Sequence, residues 1–108
     1  MAWYVYLAWF FAGAFLANAI PHLVQGVCGS RFQTPFASPP GIGESSALVN
    51  AAWGLANFAI GGVLLHAFFP AKLPPSWPLC LAAFVGAAAI ALFSAHHFGK
   101  VRNTAPHS

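Results

Sequence analysis

The chain has 108 residues, enough for one small domain. Only 5% of them are charged, four basic and one acidic, against about 25% in a soluble domain. With 59% hydrophobic residues, that supply cannot cover a water-facing surface, so lipid is the expected solvent; the net charge of +3 rests on cations too few and scattered to mark a nucleic-acid binder.

The first apolar run covers about 2–24, and no charge occurs before Arg31. A spanning helix needs about 20 such residues at 1.5 Å rise each. The "ANA" at 17–19 resembles a small-residue cleavage site, but no basic stretch precedes it, so cleavage is not expected. Near the end of the run stands Pro21. It lacks an N–H, frees the carbonyl of Ala17 and disfavours helical geometry at Ile20, which predicts a kink or an end there. Asn18, His22 and Gln25 share one helix face. They can satisfy the freed backbone or belong to a site, since polar groups inside a bilayer are rare without a function.

Residues 25–46 read as a long loop containing "RFQTPFASPPGIGESS". Prolines stiffen it, Gly41 and Gly43 let it bend, and Phe32 and Phe36 anchor it to apolar surface. Ser45 or Ser46 suits the cap of the next helix, and Glu44 its positive end. The expected arrangement is a lid in the interface or over the helix ends, with Arg31, Phe32, Phe36, Gly41, Gly43 and Ser45 as its working residues. A helix start flanked by glycine is a candidate anion cradle. "GIG" is too short for a nucleotide motif, and no Walker lysine follows.

The second run, 47–69, carries Asn50, Gly54, Asn57 and Gly61 on one stripe. Small residues let helices approach in lipid, and amides cross-link them. His66 falls at the far end, where it can snorkel. Pro70 stops this helix, and Ser76 with Pro78 starts the next, so the short connection predicts that the second and third helices are antiparallel neighbours. The third run, 77–98, places Ala83, Gly86, Ala87, Ile90, Ser94 and His97 on one stripe, with His96 about 100° away. Residues 99–108 read as a tail, His107 included, with fraying expected over the last six.

The expected fold is therefore all-α: a single membrane domain of three transmembrane helices with a Pro/Gly-rich interfacial loop between the first two. Arg31, Lys100 and Arg102 fall on one side, Lys72 and the terminal amine on the other. The excess of cations puts the loop and the C-terminus in the cytoplasm. Trp3, Tyr4, Tyr6, Phe68, Phe69 and Trp77 form a belt at the opposite interface. Cys28 and Cys80 lie on opposite sides without metal-type spacing, which argues against a disulfide.

Depth gathers Asn18, His22, Asn50, Ser94 and His97 at the loop side, with Asn57 deeper. The leading expectation is a homo-oligomeric bundle that binds or transports a small solute at Asn18, His22, Asn50, Asn57 and His97 under the lid. An accessory subunit of a larger membrane complex is the alternative. Haem or a metal held by His22 and His97 is weaker, because the carboxylates of a usual outer shell are missing. A Ser–His–Asp enzyme is excluded, because the chain holds no aspartate and a single glutamate.

One longer string also stands out: N-x-I-P-H at Asn18, Ile20, Pro21 and His22; Gly26, Gly29, Arg31 and Phe32; Thr34 through Gly43 with Ser45 and Ser46; then Asn50, Trp53 and Gly54. It resembles a group of small bacterial inner-membrane proteins, as does the ending His97, Phe98, Gly99. The resemblance covers about a third of the chain and brings no activity with it. It implies a bacterial multi-span protein with a loop whose detailed sequence matters.

Overall fold

The computed structural model describes residues 2–70 and 76–103. Lys72 and His107, invoked above for topology and tail, lie outside them. Three helices dominate: α1 (Trp3–Val27), α2 (Ala47–Ala67) and α3 (Trp77–Arg102). Each is long and apolar enough to cross a membrane. At 1.5 Å per residue even α2 reaches about 30 Å, the thickness of a hydrocarbon core.

The distribution of side chains matches that solvent. His22, Gln33, Thr34, Asn50 and Asn57 are buried, while Leu48, Phe58, Phe84 and Leu92 are exposed. A water-soluble protein places these classes the other way round. The arrangement is compatible with a multi-pass membrane protein.

Local signals set the helix ends. The Ser46 hydroxyl accepts the Val49 N–H at 3.2 Å and caps α2. Ser76 occupies the N-cap of α3, with Pro78 in the first turn. α2 ends at Ala67, before Pro70. Pro21 departs from expectation, for α1 continues through it to Val27. Packing overrides the local preference here. A Cβ on Gly26 would run into the backbone of Ala51, and one on Gly54 into that of Leu23, so α2 lies tightly along the turns of α1 that follow the proline.

The order of the helices also differs from expectation. α1 packs against both α2 and α3, whereas α2 and α3 make next to no direct contact. They are not packed neighbours despite the short connection. The reason lies in two small-residue seams that both meet on α1. Gly61 of α2 rests on Ala12 and Leu16. On the other flank, Gly13 sits on the Ala83 carbonyl, and Gly86 of α3 on that of Phe10. The buried residues of α2 are Asn50, Gly54, Asn57 and Gly61, the stripe read from spacing.

At the N-terminal end of α1 the aromatics gather as expected of a belt. Tyr4 meets Phe68 with ring centres 6.2 Å apart, and Trp9 lies 5.8 Å from Phe69. Trp9 Nε1 donates to the Phe68 carbonyl at 3.1 Å, fastening the end of α2 to α1. His66, near the same end, is exposed. Cys28 and Cys80 are free and exposed, at opposite ends of the bundle.

At the other end the connection between α1 and α2 is ordered. Two short strands, β1 (Phe32–Gln33) and β2 (Glu44–Ser45), pair antiparallel with Phe32 opposite Ser45 and Gln33 opposite Glu44. This small ladder is an addition to the all-α expectation. The expected tail changes too, for α3 runs on to Arg102 instead of ending at 98. Its last turn has partners in the cap: Arg102 donates to Gln33 Oε1 at 2.9 Å and lies 3.5 Å from Glu44, the chain's single acid.

Candidate functional site: a capped cleft on the first helix

Because α2 and α3 stand apart, α1 forms the floor of a cleft between them. Two cavities of about 270 Å³ each adjoin at Asn18 and Trp53. The deeper one is apolar, bordered by Phe11, Ala14, Phe15 and Ile90. The one under the cap is bordered by His22, His97 and Phe98, with Thr34, Pro35 and Gly41 as its roof.

Asn50 builds the join between helix and cap. It is fully buried. Its Nδ2 donates toward the carbonyls of Phe32 at 3.1 Å, Ser45 at 3.2 Å and Ser46 at 3.1 Å. Three carbonyls around one end fix which end is nitrogen, because the reverse would set oxygen against oxygen. Oδ1 therefore faces His22, 2.8 Å from Nδ1. An amide oxygen can only accept, so His22 Nδ1 carries a proton. In the neutral ring Nε2 is then a bare lone pair.

The same logic applies to His97. Its Nε2 stands 2.8 Å from the Gly41 carbonyl, so Nε2 donates and neutral His97 presents Nδ1 as acceptor. Gly41 has φ +73°, a conformation that favours glycine, and a Cβ there would lie 3.5 Å from His97 Nε2. Phe93 stacks on the His97 ring at 5.6 Å, and Phe98 meets it edge-on at 5.1 Å.

Deeper down, Asn18 Nδ2 donates to Asn57 Oδ1 at 3.0 Å, and Asn57 Nδ2 donates to the Trp53 carbonyl at 2.8 Å. Thus Asn18 with Asn57 and His22 with Asn50 are direct α1–α2 pairs, and His97 reaches the same cavity as Asn18 and His22 from α3. Asn50 and Asn57 are spent on protein partners, whereas the two imidazoles each keep one nitrogen unused.

The loop residues divide. Phe32 is buried, 5.4 Å from the His22 ring and 4.8 Å from that of Phe98, with the Arg102 guanidinium 4.8 Å above it. Phe36 covers the edge of Trp53 at 4.8 Å. Ser45 pairs its hydroxyl with Thr34, and a Cβ on Gly43 would strike the Ser38 backbone. Arg31 is exposed and reaches only the Glu44 carbonyl at 3.4 Å, so it offers the cleft no charge. Glu44, expected at the start of α2, turns instead to Arg102. The first turn of α2 takes its acceptor from Ser46, which answers for a helix start that was a candidate anion cradle.

Residues that spacing did not single out complete the site. Thr34 is buried and accepts the Phe36 N–H at 3.3 Å through Oγ1 and the Gly41 N–H at 2.9 Å through its carbonyl, shaping the roof. Trp53 borders both cavities, and among the described residues its Nε1–H is the one fully buried side-chain nitrogen or oxygen without a partner. An unpaired buried donor costs about 1–3 kcal/mol, so it calls for an acceptor.

Two imidazoles, each held through one nitrogen by an oxygen and bare at the other, are oriented as metal-ligating histidines are. A closed zinc site, however, takes four ligands, and no group of three His, Cys, Asp or Glu converges among the described residues. The unused groups fit a ligand that hydrogen-bonds. Compared with known protein families, with curated proteins and with solved structures, the chain matches none.

Proposed function

We propose that this is a multi-pass bacterial inner-membrane protein that binds a small amphiphilic molecule in the capped cleft. The observation that carries the reading is the meeting of His22, His97 and Trp53 around one cavity, each with a polar atom unused, while Asn18, Asn50 and Asn57 are paired. The binding residues are Asn18, His22, His97 and Trp53; Asn50 and Asn57 position them. The cap is the gate, with Phe32 and Phe36 as its apolar seats. Binding is the whole activity of one chain, and transport requires further copies to complete a path.

The cations Arg31, Lys100 and Arg102 at the capped end support an orientation with that end cytoplasmic and the N-terminus periplasmic. Leu81, Phe84, Val85 and Leu92 leave an apolar face of α3 uncovered. That face favours a second reading, in which it docks on a second copy or a larger membrane complex and the chain serves as an accessory subunit.

Native mass spectrometry from mild detergent tests the first reading. Wild type should carry a small-molecule adduct that Ala14→Phe, which fills the deeper cavity, loses. An adduct retained in Ala14→Phe, or none in either form, counts against the cleft as a binding site. Stoichiometric partner chains together with no adduct would favour the second reading.

A further inference from the structure

The cleft has a defined chemical demand. Its apolar part lies deeper in the bundle and its polar part under the cap, so a ligand must enter with a greasy body and a polar head. The residues that border the space under the cap hold two kinds of unused group. His22 Nε2 and His97 Nδ1 are acceptors and need a donor, whereas Trp53 Nε1–H is a donor and needs an acceptor. A carbonyl or ether supplies only the acceptor, and an ammonium only the donor. A hydroxyl supplies both through one atom.

Size and surface narrow the body. A cavity of about 150 Å³ accommodates benzene. The space under the cap, about 270 Å³, therefore suits one substituted ring and is small for a fused system. Its walls are aromatic: Phe93, His97 and Phe98 on α3 and Trp53 on α2. Aromatic walls favour an aromatic guest in stacked or edge-on contact. The apolar space beyond, bordered by Phe11, Ala14, Phe15 and Ile90, continues from Trp53 and takes a flexible chain.

We infer that the ligand is a single-ring phenol or hydroquinone bearing an aliphatic chain, its ring hydroxyl donating to His22 Nε2 and accepting from Trp53 Nε1–H. The chain lies along α1 between α2 and α3. This assignment rests on the binding reading above and gives it a ligand class.

The test uses the full chain in phospholipid nanodiscs with ¹⁵N-labelled tryptophan. The Trp53 indole resonance is the one absent from Trp53→Phe. Titration with 4-pentylphenol should shift it saturably, and 4-pentylanisole, which lacks the O–H, should bind at least about fivefold more weakly, the loss of one hydrogen bond of about 1 kcal/mol. Calorimetry should show a similar loss for the phenol on Trp53→Phe, which keeps a ring in place, and no saturable binding on Ala14→Phe. Because every form sits in the same lipid, partition of one probe cancels between variants, and the phenol and the ether are compared at equal concentration in the bilayer.

Equal binding of phenol and ether, or a phenol shift that persists in Ala14→Phe, overturns the inference. An adduct that wild type keeps and Ala14→Phe loses, but that 4-pentylphenol does not displace, overturns the phenol assignment and leaves the binding cleft standing. An adduct indifferent to Ala14→Phe, together with an inert phenol, overturns both.

Discussion

Asn50 has more consequence than its size suggests. One primary amide holds the His22 tautomer and takes carbonyls from β1, β2 and the α2 cap. Asn50→Leu would leave His22 Nδ1–H unpaired in a buried place and take this donor from the Phe32 and Ser45 carbonyls, while the Ser46 carbonyl keeps the backbone N–H of residue 50, so we expect a loss of about 2–4 kcal/mol in denaturant unfolding from detergent. Amide exchange over 32–45 should accelerate in the same variant. Asn18→Ala, which removes one amide–amide bond between helices, should cost only about 0.6 kcal/mol. Similar losses for the two variants would show that the cap does not depend on Asn50. That His22 and Asn50 share one level was legible in the sequence, because helical spacing puts each on a polar stripe at the same depth; which residue pairs with which was not. Thr34 and Gln33 were not legible, since a loop's buried polar residues look like its solvated ones until its path is known. Trp53 was hidden for a related reason. It stood in the longer string without a role of its own, and only its missing partner marks it out.

Among the helices, glycine decides who touches whom. A Cβ at Gly13 would overlap the Ala83 carbonyl, and one at Gly86 that of Phe10. Gly13→Leu should therefore pry α3 from α1, visible as a longer distance between spin labels on the two helices and a lower melting temperature. Gly62 has nothing within 4 Å of its would-be Cβ, so Gly62→Ala should be neutral or stabilising by up to about 1 kcal/mol. The reverse ranking would mean that the seams are not where they are drawn. Spacing identified the stripes but not the middle helix, because all three helices carry small residues and only complementary shape tells which pairs fit. It also misjudged both ends of the cap: Pro21 argued for a kink or an early stop to α1, and the end of the apolar run at 98 for an end of α3 there. The contacts of α1 with α2, and of Arg102 with Gln33 and Glu44, outweigh those local preferences. The Arg102–Glu44 pair is itself well exposed, so Glu44→Gln should shift stability by less than about 1 kcal/mol. Arg102→Ala should cost more, because it also loses Gln33 and the face of Phe32.

For the molecule as a whole, the two native thiols report its direction in the bilayer. Cys28 and Cys80 are exposed at opposite ends. In intact cells an impermeant maleimide should reach Cys80 and spare Cys28 until the membrane is opened; the reverse pattern would invert the proposed orientation. Three long uncharged runs made the number of spans readable from hydropathy alone, because the bilayer fixes how much apolar length a helix needs. The cleft was not readable, since it exists only because two helices avoid each other, and avoidance leaves no periodic mark in a sequence.

That avoidance has a mechanical side. The hairpin is tied to α2 through Asn50 and to α3 through His97 and Arg102, while α2 and α3 scarcely meet. It acts as the clasp of a two-leaved book bound along α1. Undo the clasp on either leaf, and at that end nothing but the spine keeps the pages from swinging apart.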